Sequence, residues 1–179
     1  MNPKLEAVYG GTRAQDEKAP KVWCAPLSVA AVTGVDLESV EDIFRDEKYG
    51  DDWMFRFSYP PEDLRAKASI TRAVLDVMGY DVREPGGCQL LGCMWEDWIY
   101  QRPQALFNTP ALLALREKGA ALGHMVAVQG NWIVDTRNFG LMQKITPDMY
   151  RGVLVLTALF VEKKGSPILE KARSSLLAA

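Results

Sequence analysis

The chain has 179 residues and a formal net charge of -2 at pH 7, with 48% hydrophobic and 25% charged residues. That length suits one domain with a proper core, and the composition is that of a globular protein. The slightly acidic balance offers no basic surface for nucleic acid, so that class of partner is set aside.

No apolar run reaches the ~18 residues of a membrane span, and residues 1–6 lack the apolar core of a secretion signal. The expected compartment is therefore the cytoplasm, or a particle assembled in it, with no membrane partner. The cysteine count of three is odd, which in a reducing compartment reads as thiols.

Residues 1–20 are polar and read as an N-terminal arm, with 5–9 as a candidate short strand. Residues 21–34 then read as a buried helix with a proline, Pro26, in its first turn and a glycine stop at Gly34. Cys24 lies at the start of this helix, where unpaired amides and the macrodipole favour an anion, so its thiol is expected to ionise readily. Pro26 disfavours the helical region for Ala25, which sets Cys24 just outside the first turn. Asp36 caps a second helix, from 37 to about 49, with Leu37, Val40, Ile43 and Phe44 on one stripe.

Trp53, Phe55, Phe57 and Tyr59 alternate along an irregular stretch, as a half-buried strand or the wall of a cleft would. A helix opened by Pro61 or Ser69 covers 70–78, a short strand covers 80–83, and a short helix covers 95–101. Cys88 and Cys93 do not make a zinc site, because a closed one wants four ligands and the chain offers only one histidine and Cys24 besides. Both are read as small buried apolar residues, and no metal or cofactor is expected.

Thr109-Pro110 is a good N-cap and first turn, which predicts a helix over 111–118 stopped by Gly119. A hairpin follows, with strands 124–129 and 132–135 joined by Gly130-Asn131, a glycine-first loop that fits a type II′ turn. Thr146-Pro147 starts a helical turn, 153–161 is an apolar strand expected inside a sheet, and 167–179 is a candidate surface helix.

In that hairpin Gln129 faces Trp132 and Val128 faces Ile133, so continued pairing sets Val126 opposite Asp135 and His124 opposite Arg137. His124, the single histidine, then shares a face with Asp135 and is its diagonal neighbour, roughly 7–8 Å away at the backbone. A carboxylate that holds one imidazole nitrogen leaves the other for a third group, the base-and-orienter half of a triad. A thiol needs such a base, and a helix start supplies donors for an oxyanion.

The blocks Cys24-Ala-Pro-Leu-Ser-Val-Ala-Ala-Val-Thr-Gly34 with Leu37-Glu38-Ser39-Val40, Gly123-His124-Met-Val-Ala-Val128 and Ile133-Val134-Asp135-Thr136 resemble the papain-like cysteine peptidase superfamily. The likeness is to its small members common in phage and bacterial genomes. The resemblance implies an α+β, papain-like fold over 21–162, in which an N-terminal helical part carrying the cysteine helix packs against a C-terminal antiparallel sheet. Residues 1–20 would be an arm and 163–179 a helical tail.

It also implies Cys24 as nucleophile, His124 as general base and acid, and Asp135 as the group orienting His124, in hydrolysis of a peptide or protein substrate through an acyl-enzyme. The family commonly sets a glutamine a few residues before the cysteine to assist the oxyanion; here the nearest is Gln15, nine positions upstream. A catalytically weak papain-like module that binds a protein partner or serves in assembly is the alternative, and a plain α+β domain in which the three residues never meet is a third. Oligomeric state leaves no mark in the sequence.

Overall fold

The computed structural model describes residues 5–7, 23–46, 64–84, 92–102, 104, 107–118 and 123–165. Most of the N-terminal arm, the aromatic stretch 53–59, Cys88 and the C-terminal helix expected over 167–179 lie outside these. The described part is an α+β fold: helices α1 (Cys24–Thr33), α2 (Leu37–Phe44) and α3 (Leu64–Val77), strands β1 (Tyr80–Arg83) and β2 (Cys93–Met94), and helix α4 (Trp95–Gln101) precede the main strands. These are β3 (Ala111–Glu117), β4 (His124–Gln129), β5 (Trp132–Val134), β6 (Met142–Lys144) and β7 (Val153–Lys163).

The sheet runs β1-β7-β3-β4-β5-β6, with β2 also on β7, and every pairing is antiparallel. β7 is interior, as its apolar sequence predicts.

Apolar side chains cover both faces of the sheet. On one, Leu112, Met125, Ala127, Val134, Leu159 and Val161 pack against α1, α2 and α3; on the other, Leu113, Leu115, Val126, Val128, Ile133 and Phe160 pack against Trp95 and Trp98 of α4. Alternation along β4 and β5 is what sends successive residues to opposite layers. α1 is buried over the whole run 25–32, as a helix apolar on all sides must be, and its Ser28 hydroxyl donates to the Met125 carbonyl of β4 at 3.1 Å.

Several local expectations change. The helix expected over 111–118 is β3, a strand between β7 and β4. Its run of Ala and Leu favours a helix locally, but in the fold the run 111–115 is buried and alternates between the two apolar layers, which a helix in that slot could not do. Residues 5–7 form no strand; Leu5 sits in the core, and its amide donates to Gln129 Oε1 at 2.7 Å. α3 is described from Leu64, so Ser69 does not open it, and Pro61 lies outside the described residues. The turn expected from Thr146-Pro147 does form, with the Met149 amide bonded to the Thr146 carbonyl at 3.3 Å.

Candidate active site

Trp23 is the N-cap of α1 and Cys24 its first helical residue. Pro26 therefore falls at the third position, where its missing N–H costs no helical bond. The conflict between Pro26 and a helical Cys24 is resolved in favour of the helix, whose stop at Gly34 has φ 71° and an amide bonded to the Ala30 carbonyl at 2.8 Å. Cys24 is a half-buried thiol at the N-terminal end of a buried helix.

His124 opens β4, opposite Leu115 of β3. The hairpin follows the predicted register, Gln129 with Trp132 and Val128 with Ile133, around a turn with positive φ at Gly130 and not at Asn131, the type II′ combination. The ladder ends at Ala127 and Val134, so the expected pairs of Val126 with Asp135 and His124 with Arg137 do not form.

Asp135 instead leaves the strand as the cap of a 3-10 turn, Thr136–Asn138: its side chain accepts from the Arg137 amide at 3.0 Å, and its carbonyl accepts from the Asn138 and Gly140 amides. The side chains meet all the same, with His124 Nε2 2.5 Å from Asp135 Oδ1.

Cys24, His124 and Asp135 thus come together from α1, β4 and the end of β5. The imidazole interacts with the Cys24 side chain by hydrogen bond and by charge. Burial by itself would lower the imidazole pKa, but the bonds and charges of Asp135 and Cys24 outweigh it and push it up to about 9. Burial likewise opposes ionisation of Asp135, yet His124, the Tyr150 hydroxyl and the Arg137 amide together hold its carboxyl below the ordinary value. The carboxylate side chain is 1% exposed and the imidazole 19%. The site is an ion pair with a buried carboxylate and a mostly buried imidazole.

Two residues escaped sequence reasoning. Tyr150 donates its hydroxyl to Asp135 Oδ2, and burial followed by that carboxylate raises its own pKa. Its ring lies edge-on to Trp95, 4.9 Å between centroids. Arg137, which follows the cap, sets its guanidinium 5.6 Å from the centre of the Tyr150 ring and bonds Glu117 at 3.1 Å. No local pattern marks a tyrosine in a turn fifteen residues after the carboxylate it serves.

A cavity of about 240 Å³ borders His124 and is lined by Leu115, Arg116, Glu117, Gly123, Arg137, Tyr150 and Val153. Its apolar wall belongs to the sheet face opposite α1. Cys93 packs beside this second layer but is half-buried rather than buried as expected, while Gln15 lies outside the described residues.

Donors at the start of a helix, a thiol, an imidazole and a carboxylate in series can carry out nucleophilic acyl transfer. No protein-family model, curated protein or solved structure matches this chain.

Proposed function

We propose that the chain is a thiol hydrolase of papain-like architecture, acting on peptide or isopeptide bonds. The observation that carries this reading is the meeting of Cys24, His124 and Asp135 at the start of a buried helix. A cysteine helix packed on an antiparallel sheet is also the arrangement that the sequence resemblance implies.

At neutral pH the imidazole, with a pKa of about 9, is an imidazolium, and a cation beside a thiol favours the thiolate. The thiolate adds to an amide carbonyl, and the oxyanion faces the first-turn amides of α1, which have no partner within the helix. His124 gives its proton to the departing amine and the carbon–nitrogen bond breaks, leaving a thioester on Cys24. The neutral imidazole then takes a proton from water, the hydroxide adds to the thioester, and the acid leaves as the thiolate–imidazolium pair is restored. Asp135 keeps Nε2 engaged throughout and so fixes the ring orientation.

Iodoacetamide tests this. Cys24 is expected to alkylate rapidly well below the ~8.5 pKa of an ordinary thiol, and His124→Ala to slow it, with peptide mass spectrometry reporting each cysteine. Equal, slow labelling of Cys24, Cys88 and Cys93 would replace the hydrolase with a binding or assembly module.

A further inference from the structure

Resting on the hydrolase reading, we infer that the cavity beside His124 receives the amine half of the substrate, and that this half carries a carboxylate held by Arg137. The departing nitrogen collects its proton from His124, so the amine half must lie along the imidazole. The cavity borders that ring, and Cys24 does not line it. At about 240 Å³ it is smaller than the ~300–1,000 Å³ of pockets for drug-sized ligands and suits a group the size of one amino acid.

Its polar equipment selects the charge. Arg137 is held between the face of Tyr150 and Glu117, and Glu117 engages it through Nη2 alone. A guanidinium has five N–H donors in a rigid fork, which matches a carboxylate. Leu115 and Val153 supply apolar surface.

The carboxylate can be the α-carboxylate of a C-terminal residue or that of an acidic side chain, and acyl transfer separates the two. p-Nitrophenyl acetate acetylates the enzyme with release of nitrophenol. An added amine then attacks the thioester, the carbon–sulfur bond breaks, His124 takes the amine proton, and an N-acetyl product leaves. Glycine offers an α-carboxylate, isoglutamine a side-chain carboxylate, and glycinamide neither.

At equal concentrations of unprotonated amine, one or both carboxylate acceptors should give about tenfold more N-acetyl product than glycinamide, the effect of one charge-assisted contact. Arg137→Gln should erase that preference. Equal yields from all three acceptors, with nitrophenol release dependent on Cys24, overturn the inference and leave the hydrolase standing. Nitrophenol release unchanged in Cys24→Ala overturns both.

Discussion

Asp135 divides its two carboxylate oxygens: Oδ1 meets the imidazole and the Arg137 amide, and Oδ2 takes the Tyr150 hydroxyl. An asparagine in the same space keeps an acceptor at Oδ1 but carries no charge to hold the imidazolium, and its NH2 cannot accept from the Tyr150 hydroxyl. Asp135→Asn should therefore drop the imidazole pKa from about 9 and slow Cys24 alkylation at neutral pH, as fewer imidazolium ions remain to hold the thiolate. Tyr150→Phe keeps the ring against Trp95 and leaves Oδ2 without its donor. It should cost about 1–3 kcal/mol in urea unfolding and slow alkylation less than Asp135→Asn does. The opposite order of the two alkylation rates would make Asp135 a turn cap and nothing more.

Among the elements, β3 decides where the site can form. Its pairing with β7 slips between Ala114 and Leu115: Ala114 faces Thr157, while Leu115 faces Val155, leaving Leu156 as the extra residue of a bulge. Before the slip Phe160 and Ala158 of β7 point into the α4 layer, and after it Val155 and Val153 do. The bulge thus switches which alternate residues of β7 face that layer, and it lies beside Leu115, the residue opposite His124. Bulges commonly re-aim strands next to sites of chemistry. Leu113→Ala, in the fully buried part of β3, should cost about 2–5 kcal/mol by chemical unfolding. A loss under about 1 kcal/mol would contradict its place in the interior of the sheet.

At the scale of the molecule, a sheet covered on both faces holds α1 against β4 and brings the thiol to the imidazole. No helix among the described residues is long and apolar enough to cross a membrane. The Cys24–His124 pair leaves a signature in the pH dependence of stability. By itself, a His124 pKa raised from 6.5 to about 9 contributes stability that is complete below ~6.5 and lost as pH rises through about 9. A folded thiolate contributes with the opposite sign.

Between about 6.5 and 8.5 the folded pair then holds one proton on the imidazole, the unfolded pair one on the thiol, and the two effects cancel. Wild-type protein should show a flatter urea midpoint across this window than Cys24→Ala, in which His124 stays raised by Asp135 and stability falls with pH. Parallel profiles for the two proteins would mean that Cys24 is a neutral thiol at rest.

Local preference accounts for the stop at Gly34, the cap at Asp36, the helix over 95–101, and the hairpin register that pairs Val128 with Ile133 and Gln129 with Trp132. Each rests on a few adjacent residues whose backbone preferences agree with the fold. The tertiary structure decided the rest. It turned 111–117 into a strand against its helical propensity, because only alternating side chains can fill both apolar layers. It took Asp135 out of the ladder into a cap and supplied Tyr150 from a distant turn. It also brought α1 to the end of β4, a contact between residues a hundred positions apart that no local preference encodes.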